Sequence, residues 1–307
     1  MSIVHSNPES WTIMNRIQAA SSANSDFQFP NDSERDVLHR VAVLGSPVAH
    51  SLSPVLHNAG YSALGLSDWH YGRIEIGKGQ LSDFVAQADD SYRGFSVTMP
   101  GKFEALQLAD HVSGRANMIG TANTLVRRDG GWFADNTDGD GVLGALGELF
   151  PNDSGSLEHV VVLGSGGTSR PVLWALGTLG VREVTIVNRS DRSSEWAPLA
   201  ESMGLAWNIA TWEDSLEDCD AIISTVPADA VAGHERRLAH APVLDVIYDP
   251  WPTPLTIQAA SNGHRSVGGH VMLAHQAFGQ FRLFTGLPAP KEEMWAALDR
   301  ELNSQKP

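Results

Sequence analysis

Short apolar runs alternate with longer segments whose apolar residues recur at helical spacing, from Val37 almost to the end of the chain. The runs predicted to be strands are Arg40–Leu44, Tyr71–Ile76, Gly94–Thr98, His159–Leu163, Glu183–Val187, Ala221–Thr225 and Val243–Tyr248. A hairpin is predicted where Thr124–Val126 and Trp132–Ala134 flank Asp129, Gly130 and Gly131. The segments predicted to be helices are Ser53–Leu64, Leu81–Asp89, Gly141–Phe150, the stretch after residue 168 to about Leu179, Val271–Thr285 and Glu292–Leu302. Strands that alternate with helices predict an α/β fold with largely parallel sheets.

Composition sets the scale of that fold. The 307 residues are enough for about two domains of roughly 150 residues each. Hydrophobic residues make up 42% of the chain and charged residues 19%, which excludes a wholly disordered protein. The single cysteine, Cys219, can form neither an internal disulfide nor a cysteine-based zinc site, and we predict no bound metal.

The net charge of the chain disfavours some classes of binding partner. There are 21 Lys and Arg against 36 Asp and Glu, a formal net charge of −15. Nucleic acids and anionic membranes recruit Lys and Arg, so this balance disfavours both, and no apolar run approaches the roughly 20 residues of a membrane span. Residues 1–36 are polar and predict a flexible N-terminal extension rather than a signal peptide. We expect a cytoplasmic monomer or homodimer that acts on a small molecule.

A glycine-rich turn follows the predicted strand His159–Leu163. The sequence from Gly164 to Arg170 reads Gly-Ser-Gly-Gly-Thr-Ser-Arg and opens a predicted helix. This is the context of a dinucleotide-binding turn: glycines let a pyrophosphate approach the backbone, and the helix N-terminus supplies N–H donors. Ser169 stands where the third glycine of the usual pattern would be, so the motif by itself also fits a plain strand-to-helix turn.

The end of the next strand bears on which dinucleotide would bind. NAD-binding sites usually place Asp or Glu there to hold the ribose 2′-hydroxyl. Here the strand runs into Asn188, Arg189 and Ser190, and a guanidinium can pair with a 2′-phosphate in a forked geometry. Arg189, with Arg192 as a second cation, therefore favours NADP, whereas Asp191 keeps NAD open as an alternative.

The first half contains four polar clusters that a hydrophobic core does not need. They are His50–Pro54, Ser96–Lys102, Gly120–Thr124 and Asp135–Gly141. Ser51 and Ser53 offer hydroxyls near a helix start, where Ser53 would equally serve as an ordinary N-cap. Lys102 follows a strand end, the edge of an α/β sheet where ligands bind. The aspartates of the fourth cluster do not form a calcium loop, because position 145 is Ala where that loop needs Glu.

Taken together, these motifs resemble the shikimate dehydrogenase family over about residues 41–286. The matching segments are GSPVAHSLSPVLHN (45–58), SVTMPGK (96–102), GTANT (120–124), DNTDGDG (135–141), GSGGTSR (164–170), NRS (188–190), DVIYDPWPTPL (245–255) and MLAHQAF (272–278). Eight motifs in the same order make a chance match improbable, although no single one would suffice. The resemblance implies NADP-dependent hydride transfer between 3-dehydroshikimate and shikimate, in aromatic amino acid biosynthesis.

The resemblance also implies a role for each matching residue. Lys102 would be the catalytic lysine and Asp138 its paired aspartate. The implied substrate-binding residues are Ser51, Ser53, Thr98, Asn123, Tyr248 and Gln276. The implied cofactor-binding residues are Gly164, Ser165, Gly166, Gly167, Thr168, Asn188, Arg189, Ser190 and Arg192. Two positions depart from the family: Ser96 stands where Asn is usual, and Gly101 replaces a bulkier residue, which predicts a looser loop before Lys102.

The fold implied by the resemblance has two α/β domains. An N-terminal substrate-binding domain with a mainly parallel sheet would comprise residues 37–139, completed by 272–307. A Rossmann-like NADP-binding domain would comprise residues 140–271. The returning helix would present Gln276 to a cleft between them. An NAD-dependent quinate/shikimate dehydrogenase of catabolism and a non-catalytic dinucleotide-binding sensor remain the alternatives.

Overall fold

Two six-stranded sheets form the framework of the computed structural model, which describes residues 37–151, 157–214, 216 and 219–304. The strands are β1 His39–Gly45, β2 Trp69–Glu75, β3 Tyr92–Val97, β4 His111–Val112, β5 Thr124–Arg128, β6 Gly131–Asp135, β7 His159–Leu163, β8 Glu183–Val187, β9 Ala206–Ala210, β10 Ala221–Ser224, β11 Val243–Asp245 and β12 Ser266–Gly268. The helices are α1 Ser53–Ala63, α2 Leu81–Gln87, α3 Lys102–Leu108, α4 Gly114–Ile119, α5 Asp138–Leu149, α6 Ser169–Thr178, α7 Ser193–Ser202, α8 Glu235–Leu238, α9 Pro254–Ser261, α10 Gly269–Thr285 and α11 Lys291–Ser304, with a 3-10 turn at Ala228–Val231.

The first sheet is mixed, with strand order β2-β1-β3-β5-β6-β4. β1 pairs in parallel with β2 and β3, while β5 is antiparallel to both β3 and β6. β3 and β6 therefore run in the same direction, and their carboxyl ends lie at the same edge. The predicted hairpin is confirmed, and its turn has positive φ at Asp129 (50°) and Gly130 (81°), as a tight two-residue hairpin turn requires.

The second sheet is parallel throughout, with strand order β12-β11-β10-β7-β8-β9. Its central strand β7 is buried on both faces, which explains the unbroken valine run Val160–Val162. The order reverses beside β7, because β8 follows on one side and β10 lies on the other. This is the doubly wound arrangement in which ligands bind at the carboxyl ends of the strands, next to the reversal.

Helix α10 joins the two hydrophobic cores. It begins directly after β12 of the second sheet, and Val271 and Met272 pack into that sheet's core. One residue later the helix faces the first sheet, where Leu273 and Phe281 are buried with Met294 of α11. Apolar residues on more than one face are what a helix between two cores needs, since it has no broad polar face.

The predicted fold class, two α/β units of which the second is Rossmann-like, is confirmed. The seven predicted strands are present, although β11 ends at Asp245, whose carboxylate accepts hydrogen bonds from Ile247 N at 3.2 Å and Thr253 Oγ1 at 2.7 Å and turns the chain. Sequence reasoning missed several short elements, namely α3, α4, α7, α8, α9, β4, β9 and β12. Helix α5 begins at Asp138 rather than Gly141.

Two predictions remain as they were. The N-terminal extension, residues 1–36, lies outside the described residues. The proposed domain boundaries, 37–139 with 272–307 and 140–271, stay predictions. Within the described part of the chain, no helix combines the length and apolarity needed to cross a membrane.

Candidate active site

A short ion pair lies at the edge where β3 and β6 end. Lys102 is the first residue of α3 and Asp138 the first residue of α5, and each helix follows one of these parallel strands. Lys102 Nζ lies 2.6 Å from Asp138 Oδ2, with the two side chains 16% and 4% exposed. Partial burial makes this contact stronger than a surface pair and holds the ammonium in a fixed position.

Close packing fixes the start of α3. A Cβ at Gly101 would lie 2.9 Å from Val97 Cγ1 and 3.3 Å from Leu81 Cδ2, so a larger residue would force its neighbours to move. These contacts favour a tightly packed loop before Lys102 rather than the looser loop that the sequence predicted. Glycine here lets the chain pass close to β3 and α2.

The aspartates around Asp138 are bound by Arg115. Its guanidinium donates to Asp135 Oδ1 at 2.7 Å, to Asp135 Oδ2 at 2.8 Å and to Asp140 Oδ1 at 2.7 Å. Burial works to raise the pKa of Asp135, but hydrogen bonds from Arg115 and Ser113 outweigh it and hold that pKa below its usual range. The segment that carries Asp138 is thus held on both sides by Arg115.

Asn123 connects Asp138 to α10. Its amide nitrogen donates to Asp138 Oδ1 and to Gln276 Oε1, both at 2.9 Å, and lies 3.0 Å from Thr137 Oγ1. Its amide oxygen accepts from Thr137 N at 2.8 Å. Asp138 therefore has one carboxylate oxygen on Lys102 and the other on Asn123.

The two serines flank the start of α1. Ser51 Oγ donates to Ser53 Oγ at 3.3 Å, and two nitrogens of Arg73 hold the Ser51 carbonyl at 2.6 and 2.9 Å. Ser53 is the first helical residue, and the N-cap position, Leu52, has no side-chain cap. The alternative that Ser53 is an ordinary N-cap is therefore wrong, and both serines line a cavity.

That cavity, called here the Lys102 cavity, has a volume of about 200 Å³. Seven residues predicted from the sequence line it: Ser51, Ser53, Thr98, Lys102, Asp138, Tyr248 and Gln276. Burial raises the pKa of Tyr248, so its phenol is neutral and can donate a hydrogen bond. Asn123, the eighth predicted residue, lies behind the wall and reaches the cavity through Asp138 and Gln276.

Sequence reasoning missed two polar residues of the wall, Ser96 as a hydrogen-bonded partner and Gln280 altogether. Ser96 Oγ donates to Gln280 Oε1 at 2.9 Å. Gln280 lies one helical turn after Gln276 on α10, and residues four apart share a helix face. That spacing was the signal that would have found it.

A second cavity, called here the glycine-turn cleft, has a volume of about 280 Å³. Its lining residues are Phe103, Ser165, Gly166, Gly167, Arg170, Arg192, Glu195 and Trp196. Phe103 directly follows Lys102, so the start of α3 contributes one residue to each cavity.

The glycines of the turn serve two purposes, the shape of the turn and access to its backbone. Gly164 has φ 95°, and a Cβ there would lie 2.6 Å from Val226 Cγ1, so the turn needs glycine for both conformation and space. Cβ atoms built at Gly166 and Gly167 meet nothing within 4 Å. Their backbone is open to a bound group, as a pyrophosphate site requires.

The residues after β8 divide into paired and unpaired groups. Asn188 Nδ2 donates to Ser165 Oγ at 2.5 Å and so ties β8 to the glycine turn. Arg192 Nε and Nη2 donate to the two carboxylate oxygens of Glu195 at 2.8 and 2.7 Å. Arg189 is exposed, and within the described part of the chain its guanidinium has no hydrogen-bond or ion-pair partner. Arg189 is thus the cation at this strand end that is available to an anion.

The remaining predicted cofactor residues are placed by the backbone. Thr168 immediately precedes α6, and Ser190 is exposed two residues after Asn188. Asp191, which kept NAD open, accepts a hydrogen bond from Ser193 N at 2.8 Å at the start of α7. Its carboxylate is therefore already engaged by the protein backbone.

Comparison with known proteins gives a consistent result. The sequence profile of the shikimate dehydrogenase substrate binding domain matches residues 43–125, and that of the shikimate 5′-dehydrogenase C-terminal domain matches residues 269–298. A shikimate dehydrogenase (NADP(+)) from Cereibacter sphaeroides is 36% identical over 268 residues, covering 83% of this chain and 95% of that protein.

Solved structures agree with the sequence matches. The crystal structure of Mycobacterium tuberculosis shikimate dehydrogenase superposes with a TM-score of 0.79 at 47% identity, covering 85% of this chain and 99% of that one. The enzyme from Thermus thermophilus, in complex with NADP(H) and shikimate, gives a TM-score of 0.72 at 31% identity and covers 85% of this chain and 99% of that one.

Proposed function

The chain belongs to the shikimate dehydrogenase family, and from this premise we propose that it is an NADP-dependent oxidoreductase that interconverts 3-dehydroshikimate and shikimate in aromatic amino acid biosynthesis. The observation that carries the proposal is the 2.6 Å contact between Lys102 Nζ and Asp138 Oδ2. The pair lies in a cavity with hydroxyl and amide groups on its walls, and Phe103, the residue after Lys102, lines the glycine-turn cleft.

The residues present fit NADP. The open backbone at Gly166 and Gly167, followed by the N-terminus of α6, suits a pyrophosphate, with Gly164, Ser165 and Thr168 shaping the turn. The exposed Arg189 suits a ribose 2′-phosphate, with Asn188, Ser190 and Arg192 around it. When bound, NADPH supplies the hydride and NADP⁺ accepts it.

Lys102 and Asp138 handle the proton. When a ketone is reduced, negative charge develops on its oxygen, and a positioned ammonium both stabilises that charge and donates the proton. Lys102 is held for this task by Asp138, which in turn is held by Asn123. In the oxidation direction the hydroxyl proton leaves to the same pair.

The remaining groups of the Lys102 cavity orient the substrate. Ser51 and Ser53 would bind the carboxylate through their hydroxyls, and Thr98, Tyr248 and Gln276 would hold the ring hydroxyls and the carboxylate. Asn123 would support them from behind the wall, through Asp138 and Gln276. A site built from hydroxyl and amide partners rejects a ligand that lacks a hydroxyl by roughly 10⁴–10⁵, because its own polar groups are left unpaired. Such discrimination suits a single hydroxylated cyclic acid.

Specific features weigh against the two alternatives. An NAD-dependent quinate/shikimate dehydrogenase would need a carboxylate where Arg189 stands, and Asp191 is engaged by Ser193 N. A non-catalytic sensor would not need the Lys102–Asp138 pair. The cytoplasmic location and the monomeric or homodimeric state remain predictions from the sequence.

Steady-state kinetics of the purified protein test the proposal. Shikimate and quinate are each offered with NADP⁺ and with NAD⁺, and reduction of the nicotinamide is followed by absorbance. We expect the highest kcat/KM for shikimate with NADP⁺. Higher kcat/KM for quinate with NAD⁺ would assign the catabolic activity, and no turnover in any of the four pairs would favour the sensor.

A further inference from the structure

A line of hydrogen bonds runs behind the Lys102 cavity. Tyr71 Oη donates to Ser96 Oγ at 2.6 Å, and Ser96 Oγ donates to Gln280 Oε1 at 2.9 Å. Gln280 Nε2 in turn lies 3.0 Å from Thr124 Oγ1 and 3.2 Å from the Asn123 carbonyl oxygen. The line thus links β2, β3, α10 and β5 through side chains alone.

Each hydrogen bond in this line fixes the direction of the next. Gln280 donates to Thr124 Oγ1, so the single hydroxyl hydrogen of Thr124 is left to donate to Asn123 Oδ1, at 2.7 Å. Since Thr137 N donates to the same oxygen, the amide oxygen of Asn123 faces the protein interior. Its amide nitrogen must then face Asp138.

The orientation of the Asn123 amide matters because its two ends have similar shapes and opposite hydrogen-bonding character. In the observed orientation Asn123 Nδ2 donates to Asp138 Oδ1 at 2.9 Å. A rotated amide would place an oxygen against that carboxylate and remove a donor from Gln276 Oε1. Asp138 would then keep its contact with Lys102 but lose the donor that fixes its other carboxylate oxygen.

Water cannot take over these roles easily. Thr124 is 0% exposed and Gln280 3% exposed, while Tyr71 is 1% exposed. Thr124 does not line the Lys102 cavity, and so it would act on a bound substrate only through Asn123. In a buried and fully satisfied polar network, each bond limits the freedom of its neighbours.

We propose that Thr124 and Gln280 are positioning residues, which hold the Asn123 amide with its nitrogen towards Asp138 and thereby keep the Lys102–Asp138 pair aligned for proton transfer. The inference rests on the proposed function. It assigns a part in the reaction to two side chains that carry no chemistry of their own.

The test compares Thr124→Val with Thr124→Ser in the full-length protein. Valine keeps the shape of threonine and removes the hydroxyl, while serine keeps the hydroxyl and removes a methyl group. We expect Thr124→Val to lower kcat/KM for shikimate roughly tenfold, the equivalent of one misaligned hydrogen bond, with KM for NADP⁺ within about twofold of the wild type. Thr124→Ser, which keeps the hydroxyl, should have a kcat/KM within about threefold of the wild type.

A purely structural role predicts a loss of stability without a selective loss of turnover. Valine leaves Gln280 Nε2 and Asn123 Oδ1 without their hydroxyl partner, and serine leaves a small void, so Tm should fall in both variants, and both are assayed well below their Tm. If the two variants lose kcat/KM equally, or if Thr124→Val turns over shikimate as well as the wild type, the proposal is overturned. If the wild type itself has no shikimate-dependent activity, the proposed function fails together with the inference.

Gln280→Met supplies a second check: methionine keeps the length of this side chain at the cavity wall and removes its amide. We expect a loss of kcat/KM similar to that of Thr124→Val. The double variant should be about as active as the poorer single variant, since both changes release the same Asn123 amide. Losses that multiply in the double variant would mean that the two residues act separately and would contradict the proposal.

Discussion

The Lys102 cavity and the glycine-turn cleft are built on opposite plans. In the cavity most polar side chains are buried or half-buried, and many are paired with another, as in the contacts of Asn123 with Asp138 and Gln276. In the cleft the binding surface is largely bare backbone at Gly166 and Gly167, and Arg189 is exposed. The polar groups of the first region already contact one another, whereas the second region offers open backbone and an exposed cation to a ligand.

This difference has a chemical reason. Proton transfer needs groups held within hydrogen-bond distance of the reacting atom, and a displacement of about 1 Å can cost roughly 10²-fold in rate. A cofactor needs affinity and a fixed place, which backbone N–H groups and one cation can provide. Substitutions in the cavity should therefore change kcat, and substitutions in the cleft should change KM for NADP⁺.

The largest effect is expected at Lys102. Lys102→Ala should lower kcat by roughly 10²–10⁴, the usual contribution of a positioned acid–base group, while the Kd for NADP⁺ stays unchanged. Lys78→Ala, a lysine outside both cavities, is the matched control. Stopped-flow or steady-state turnover with shikimate measures kcat, and unchanged turnover would remove Lys102 from the mechanism.

A smaller effect, on KM for NADP⁺ rather than on kcat, is expected at Arg189. Arg189→Ala should raise KM for NADP⁺ by roughly 10–100-fold, the cost of one charge-assisted contact, and leave KM for NAD⁺ nearly unchanged. Arg192→Ala should raise it less, because Arg192 is already paired with Glu195. Equal effects on the two cofactors would place the 2′-phosphate elsewhere.

Substitutions at two glycines of the same turn should affect different quantities, KM for NADP⁺ at Gly166 and Tm at Gly164. Gly166→Ala should leave Tm unchanged, because a Cβ there meets nothing within 4 Å, and raise KM for NADP⁺ roughly tenfold by filling the approach to the backbone. Gly164→Ala should instead lower Tm, since its φ is 95° and Val226 lies in the way. Thermal melts and kinetics on both variants measure the contrast. A large Tm loss in Gly166→Ala would contradict the assignment.

The smallest expected effect is on the pH dependence of the free energy of unfolding, and it comes from His57. His57, on α1 four residues after Ser53, is fully buried against the Tyr71 ring, with ring centroids 4.3 Å apart. Burial lowers its pKa from 6.5 to about 3. Between those values the unfolded chain binds a proton that the folded protein does not, so the free energy of unfolding falls as the pH drops below 6.5.

The loss due to His57 should be roughly 1 kcal/mol between pH 6.5 and about pH 5.5. Urea denaturation at the two pH values measures it. The matched variant is His57→Phe, which keeps an aromatic ring and cannot titrate, and it should lose about 1 kcal/mol less over the same interval. Identical pH dependence in the two proteins would show that His57 is not kept neutral.

Much of the framework could be predicted from the sequence, because buried parallel strands leave unbroken apolar runs such as Val160–Val162. Short elements were missed where the signal is weak. Helix α3 has seven residues and leaves Phe103 exposed, so it has no clear apolar stripe. Helix α5 starts early because Asp138 and Asp140, which resemble a loop in sequence, are favourable in the first turn of a helix. Helix α9 does have a standard start signal, with Thr253 as its N-cap and Pro254 following, and this signal would have predicted it.

The site shows the same division. Residues in local motifs, such as Lys102 and Gly166, were identified because their neighbours along the chain mark them. The partnership of Ser96 with Gln280 was not, because the two residues are 184 positions apart and only the completed fold brings them together. The bidentate pairing of Arg192 with Glu195 depends on the rotamers of both side chains, which no pattern of residue types specifies.

Helix α10 has a consequence for how the protein is made. The chain builds the first sheet, then the whole second sheet, and only afterwards returns with the helix that carries Leu273, Gln276 and Phe281. During synthesis the first sheet keeps an apolar face uncovered until Gly269–Thr285 has been made. A fragment that stops before Gly269 would lack that cover, so we expect that the first sheet does not fold as a separate unit.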